Sequence, residues 1–476
     1  MAFKINGIEV KELLKKGKEL AEHENEQEFL KKSYVGGQEY REGEFLIRHV
    51  REAKKSFGRR LKQAVYTNYV SPIIDIYNSY LHKDKVTRTN EGINPALYEA
   101  YSDDADLEGR SHSKVMREIS RLAALLGSVG ILVDSPSNLT GNLGSDLSNG
   151  LHTYTKLYTL ENIINMIFDY STGRPILDMI VLHEDFSEGA YEHYVIYTRT
   201  EFFRFKKKAR GQPVFISQGD HNLGTVPFVF HKNKDGMLED SGASDVIDIA
   251  ELNKRVYQFD SAAMEIIENT AFPFLEVPRL PNVGGDSGDV EIGTTNVLEY
   301  EPDGSAGGGG HRYVEPSGQS LDSILQWRNQ TLEDIRYHSK IGGTDSTKTG
   351  GNAESGISLE LRFQQLNAVL SEKAEAMENT EMAIFNLLAL WNGMDYAGSI
   401  EYTRRFGVRD LGMELDTIMK ADSFVNSLKF KEEASRKIIS RVLGESATIE
   451  EVEVMVKDSG KQDTGKSTDL TGLNNG

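Results

Sequence analysis

The sequence has no cysteine among its 476 residues, which excludes disulfides, thiolate metal sites and thiol nucleophiles. It has no uninterrupted apolar run of about 18 residues, so no membrane span is expected. Its opening, MAFKINGIEVKELLKKGKE, lacks a sustained apolar core, so no signal peptide is expected either. Positive charge is in deficit: 54 Lys and Arg stand against 73 Asp and Glu, a formal net charge of -19. That balance argues against gripping nucleic acid by neutralising phosphates, though not against surrounding it without adhering. No aromatic follows Phe430, and the end of the chain is expected to be a disordered tail over 451–476.

Catalytic patterns are missing as well. No Gly-rich loop ends in Gly-Lys-Ser/Thr before a helix; Ser346, Thr347 and Lys348 sit among glycines without that spacing or a preceding apolar strand. Ser111–Lys114 reads S-x-x-K and Lys348–Gly350 reads K-T-G, but the companion S-D-N is absent and the K-T-G falls in a low-complexity loop. The histidines are scattered singly, with no H-E-x-x-H. Asp286, Asp289 and Glu291 lack the register of a calcium loop and read as a solvent-facing turn. No enzyme, cofactor or metal is expected.

What is present is an unusual middle. Two amphipathic helical stretches, 242–270 and 318–340, bracket a Gly-rich, strand-bearing insert. The first carries Ile249, Leu252, Val256, Phe259 and Ala263 in one stripe; the second carries Leu321, Ile324, Leu325, Arg328, Leu332, Ile335 and His338 near one face. A run rich in Gly, Ser and Thr follows, and then a long helix from Ile357 to Trp391 whose apolar face holds Leu359, Phe363, Leu366, Leu370, Ala374, Met377, Met382, Phe385 and Leu388. Upstream, 45–80 reads as a helix broken at Pro72 with Ala64, Tyr69, Ile73, Ile76 and Tyr80 buried; the basic group just before that face, Lys54, Lys55, Arg59, Arg60 and Lys62, reads as a solvated helix face, the alternative being a contact with DNA or a neighbouring subunit. A helix over 111–126 leads into a buried strand at Ile131–Val133. A polar loop, 138–150, precedes strand candidates at 154–158, 176–183, 193–198, 201–205 and 226–231, whose alternation suits antiparallel sheet. The fold class expected is α+β, in more than one domain.

The order of these parts resembles the portal proteins of tailed double-stranded-DNA bacteriophages. Local pieces carry the likeness in order and spacing: GTVPFVF (224–230), GASDVIDIAELNKRVYQFD (242–260), AFPFLEVP (271–278), VEPSGQS (314–320) and ESGISLEL (354–361), within roughly 45–445. The resemblance implies a wing at 1–241, a first stem helix at 242–270, a clip at 271–317, a second stem helix at 318–340, and a tunnel loop at 341–356. It further implies a long helix with C-terminal wing at 357–410 and a helical crown at 411–450. The long Gly-rich stretch departs from the family and leaves the clip strand order open.

By the same resemblance, Leu252, Val256, Phe259, Leu325, Arg328 and Leu332 belong to the stem, and Phe272, Phe274, Leu275 and Val277 to the clip and subunit interface. Thr344, Asp345, Ser346, Thr347, Lys348, Thr349 and Asn352 would face DNA from the tunnel loop. Implied partners are eleven further copies in a dodecameric ring, double-stranded DNA in transit without sequence specificity, the large terminase subunit, a head-completion or tail adaptor protein, and the major capsid and scaffolding proteins. The implied location is the virion's portal vertex, with assembly in the host cytoplasm. The alternative is a virion structural or adaptor protein without a channel.

Overall fold

The computed structural model describes residues 3–188, 190–234, 242–270, 274–278, 297–300, 312–314, 319–340, 356–404, 406, 429 and 436. The chain divides into two compact units, Met1–Phe406 and Gly407–Gly476. Of the second only Lys429 and Arg436 are described, both helical in backbone, so the expected crown and tail lie outside the described residues.

The first unit is α+β. Its centre is the strand Ser128–Asp134, buried at every position. Strand alternation divides its side chains between two cores. Val129, Ile131 and Val133 point into a helical body built from Glu24–Val35, Val70–Leu81, Pro95–Asp103, His112–Leu126 and Gly356–Trp391. Leu132 points the other way, with Tyr158 and Phe228, against Ile163, Ile180, Leu182, Val195 and Tyr197. Ser128–Asp134 is the middle of a three-stranded antiparallel sheet, flanked by Phe228–Lys232 and Tyr154–Tyr158. A second sheet is a five-stranded antiparallel meander, in the order Val214–Asp220, Glu201–Lys208, Tyr191–Thr198, Ile176–Glu188, Ile163–Asp169. Its far face is covered by Ile5, Val10, Leu13 and Leu14, which pack on Met179, Val181, Ile196, Phe203 and Phe205.

The long helix spans Gly356–Trp391. Leu366, Leu370, Ala374, Met377, Phe385 and Leu388 are buried, as the periodicity requires, while Met382 and Trp391 are half-buried; the side chains of Leu359 and Phe363 lie outside the described set. Among the described residues the insert between the paired helices contributes three short strands. Phe274–Pro278 is central, parallel to Val297–Tyr300 and antiparallel to Arg312–Val314.

Several expectations are corrected. The break in 45–80 is not at Pro72. The helices are Lys54–Gln63 and Val70–Leu81, and Pro72 sits in the first turn of the second, where its missing N–H has no intrahelical partner to lose. The buried face there is Val70, Ile73, Ile74, Tyr77 and Leu81; Tyr69, Ile76 and Tyr80 are only half-buried. The basic group is not all solvated, because Arg60 is buried. The loop 138–150 contains the helix Leu143–Ser148, whose first turn Asn142 caps by accepting from Ser145 N at 3.2 Å. Strands Ile163–Asp169 and Val214–Asp220 were not expected.

Candidate functional site

The candidate site is the pair of helices Ile247–Thr270 and Gln319–His338, which pack against each other. They run antiparallel: Arg328 ion-pairs with Asp260, while His338, nearer the second helix's end, lines the same hollow as Asp248 and Glu251 at the start of the first. What distinguishes the pair is how firmly its first helix is tied to the body and how much apolar side chain it still shows to solvent.

Mooring starts before the first helix. Gly127 ends the preceding His112–Leu126 helix at φ +83°, a conformation that glycine adopts without strain. A Cβ there would meet the Gly242 carbonyl oxygen at 2.2 Å, and a Cβ on Gly242 would meet the Gly127 oxygen at 2.2 Å. The two backbones can cross this closely only as glycines. Asn233 N then donates to Gly127 O (2.8 Å), Gly242 N to Ser128 Oγ (2.7 Å), Ser244 Oγ to Leu125 O (2.7 Å) and Asp245 N to Ala124 O (3.0 Å). The Asp245 carboxylate is 2 % exposed and ion-pairs with Lys234 and with Lys373 of the long helix. Burial alone would raise the Asp245 pKa; the two lysines overcome it and hold the carboxyl below its usual range.

Further along, Asn253 is fully buried and held by three hydrogen bonds. Its Oδ1 accepts from Tyr66 Oη (2.8 Å) and Tyr69 N (2.9 Å), and its Nδ2 donates to Thr67 O (2.9 Å). Arg60 forks onto Glu52 at 2.8 and 2.9 Å and donates to Ser261 Oγ at 3.1 Å. The Arg60 hydrogen bond lowers the Glu52 pKa. Arg59 reaches Glu265 at 2.8 Å, and Gln63 reaches Glu268 at 2.9 Å. The second helix is tied by buried Thr331 and Ile335, and by Tyr77 Oη donating to Ser339 O.

Between these ties the pair still shows apolar side chains to solvent. Met264 is 49 % exposed, Ile267 46 %, Leu325 41 % and Trp327 66 %. At about 100° per residue, Leu325 and Trp327 fall on opposite flanks of the stripe that runs through Ile324, Arg328 and Thr331. Apolar side chains therefore face solvent on both flanks of the second helix. Tyr337, 81 % exposed, adds to this surface. Beside the pair lie two open hollows. One, of about 540 Å³, is lined by Ile47, Leu252, Arg255, Gln258 and His338; the other, of about 210 Å³, is lined by Arg60, Val65, Asp260 and Met264.

Of the residues singled out from sequence for the helix pair, Val256 is buried, Leu252, Phe259 and Leu332 are half-buried, Arg328 meets Asp260, and Leu325 is exposed. Phe274, Leu275 and Val277 lie on the central insert strand, their side chains outside the described set. Phe272 and all of Thr344, Asp345, Ser346, Thr347, Lys348, Thr349 and Asn352 lie outside the described residues. Sequence reasoning missed Asn253, Asp245, Lys373 and Trp327. Asn253 was the findable one, being a polar residue in helical register with Ile249, Val256 and Tyr257. Among the described residues no group of three or more His, Asp or Glu is placed to hold a metal.

Comparison with known proteins gives one strong result. The family described as "Phage portal protein, SPP1 Gp6-like" matches residues 31–460. No curated protein matches. Solved structures similar to the chain include "Neck of empty GTA particle computed with C6 symmetry", at 11 % identity and TM-score 0.45, covering 86 % of this chain and 99 % of that one. "Virion of native gene transfer agent (GTA) particle" is similar at 11 % identity and TM-score 0.42, with coverages of 82 % and 95 %. "Neck of native GTA particle computed with C12 symmetry" is similar at 11 % identity and TM-score 0.41, with coverages of 76 % and 88 %. On the extent of the family match, the chain belongs to the SPP1 Gp6-like phage portal protein family.

Proposed function

We propose that the protein assembles into a closed ring at one capsid vertex, that viral double-stranded DNA passes through its channel during packaging and ejection, and that the ring seats the terminase and later the tail connector. Family membership supports the reading, and the observation that carries it is the helix pair: Ile247–Thr270 tied to the body along its length, with apolar side chains bare on both flanks of Gln319–His338. A monomer gains nothing from such flanks. In a ring each subunit's two sides meet two neighbours through unlike surfaces, and cyclic closure satisfies every copy without an open fibre. Twelve copies is the number proposed.

In this reading 242–270 and 318–340 are the stem, 271–317 the clip, 341–356 the tunnel loop, 411–450 the crown, and the rest of the first unit the wing. Phe272, Phe274, Leu275 and Val277 are proposed to meet the adjacent subunit's clip, since so short and Gly-rich an insert cannot bury a core alone. Thr344–Thr349 and Asn352 are proposed to touch passing phosphates weakly and without base choice, Lys348 being offset by Asp345 and Glu354. The net charge of -19 suits a conduit that must not hold its cargo. No catalytic role, cofactor or metal is proposed. A photo-cross-linker at position 348 in packaging complexes tests the channel: DNA should be captured far more often than from position 466. Equal capture at the two positions would remove the tunnel-loop assignment.

A further inference from the structure

We propose that the smaller hollow, between the first paired helix and the end of Lys54–Gln63, is a socket that receives the Trp327 indole of the adjacent copy. The proposal rests on the ring reading above and gives the ring its register. The hollow holds about 210 Å³. Buried Ala64 and Ser261 line it, together with Met264 and with Val65, which is 72 % exposed. A cavity of about 150 Å³ takes up benzene, so this one has room for the fused rings of an indole. It also holds an unanswered acceptor. Glu265 gives Oε1 to Arg59 at 2.8 Å, while its Oε2 is buried with no hydrogen-bond donor among the described residues. Leaving a buried acceptor without a donor is costly, and an indole N–H is a donor only, which seeks a partner when it is buried.

Trp327 is placed to fill this hollow in the next copy and not in its own. At 100° per residue it lies about 20° around its helix from His338, which lines the larger hollow. Met264, in the smaller hollow, lies about 180° around the first helix from Arg255, in the larger one. Tooth and socket therefore occupy opposite flanks of the pair, as surfaces that meet head to tail in a ring must. They also share a level. Arg328, next to Trp327, pairs with Asp260, and Asp260 lines the socket. Rotation about a ring axis that runs along the helices keeps that level, and so carries the Trp327 of one copy to the socket of the next.

The other exposed apolar side chains of the second helix do not fit. Leu325 lies about 160° around the helix from Trp327, on the socket's own flank, and so turns away from the neighbour's socket. Tyr337 lies nine residues beyond Arg328, about 14 Å further along the axis. Charge agrees with the choice. Within about 80° of Trp327 around Gln319–His338, Asp334 is the one Asp, Glu, Lys or Arg. Lys54–Gln63, whose end forms part of the socket, has five cations and no carboxylate. Arg59 and Arg60 are engaged by Glu265 and Glu52, and Lys54, Lys55 and Lys62 stay exposed.

The test mixes full-length chains carrying Trp327→benzoylphenylalanine, an aromatic that keeps the tooth, with an excess of isotope-labelled parent. The assembled rings are irradiated and the adducts mapped by mass spectrometry. Adducts from position 327 to Val65 or Met264 of a labelled chain are expected. In parallel, Val65→Asp should raise the concentration needed for assembly at least about tenfold, with its circular dichroism spectrum unchanged. Because the labelled parent supplies most of each ring, the cross-linking arm stands whether or not a variant assembles alone. Rings whose adducts fall on other residues of the neighbour, or only within the chain that bears the cross-linker, would overturn the socket and leave the ring reading intact. Rings that form as readily with Asp at position 65 would do the same, and a parent that forms no ring would overturn both.

Discussion

Removing the carboxylate of Glu381 should cost the helical body more than any surface change of equal size. Glu381 lies on the long helix and is 0 % exposed. Its Oε1 ion-pairs with Arg88 and lies 2.8 Å from His112 Nε2; its Oε2 accepts from Tyr402 Oη at 2.8 Å and Arg88 Nη2 at 3.3 Å. One side chain thus joins the long helix, the His112–Leu126 helix and the segments at Arg88 and Tyr402. Burial alone would raise its pKa, but His112 and Arg88 prevail and bring it from the usual 4.5 down to about 2. That difference corresponds to about 3 kcal/mol of folding free energy. Because the folded value is depressed, the contribution is complete above pH 4.5 and is lost as pH falls toward 2. Independently, truncating one partner of a buried ion pair costs about 3–5 kcal/mol, since the other charge is left stranded. Glu381→Ala should therefore lower stability by about 3–5 kcal/mol at pH 7, and Glu381→Gln, which keeps the shape and one acceptor, by less. The assay is urea unfolding in a Trp327→Phe background. The chain has two tryptophans, and the remaining one, Trp391, donates to Val133 O at 2.7 Å in the body concerned. Equal midpoints for Glu381→Ala and its parent, or an acid loss below pH 4.5 that is undiminished in Glu381→Gln, would refute the reasoning.

Phe385, fully buried beside Tyr98 and His112, should cost about 3–5 kcal/mol on change to Ala, whereas Glu375→Ala on the exposed side of the same helix should stay within about 0.5 kcal/mol; thermal melts of the two variants check the helix face. His231 is pushed down to about 4 from 6.5 by burial and then by Lys373, so its neutral form is favoured by folding and its contribution fades as pH falls from 6.5 toward 4. His231→Gln should flatten the change in unfolding midpoint between pH 7 and pH 5, and an unchanged slope would rule out this source. Deleting 345–351 should leave assembly intact and impair DNA packaging, which a nuclease-protection assay on filled particles reads directly.

Legibility in the sequence followed the range of the interactions. The long helix was visible because Leu366, Leu370, Ala374, Met377 and Phe385 repeat at helical spacing. The helix break at 64–69 was not visible, because it is set from far away: Asn253 accepts from Tyr69 N and takes Thr67 O. Strand Val214–Asp220 was missed since three successive apolar residues at a twisted edge break the two-residue period. Glu381 and Lys373 interrupt an apolar helix face, and nothing local reveals that Arg88 and Asp245 wait opposite them. The paired helices were legible as elements. Their mooring, a glycine crossing and a buried lysine–aspartate–lysine cluster, required the folded chain.

The central claim is ring closure through the bare flanks of the helix pair. Electron microscopy of the purified protein viewed down the particle axis, with Trp327→Asp in parallel, tests it most directly. The parent should give closed rings of about twelve subunits around a channel wide enough for duplex DNA, and the variant should give folded monomers with the parent's circular dichroism spectrum and an unfolding midpoint lowered only by the lost subunit contacts. A parent that stays monomeric or dimeric at high concentration, or rings that form equally well with Asp at position 327, would contradict it.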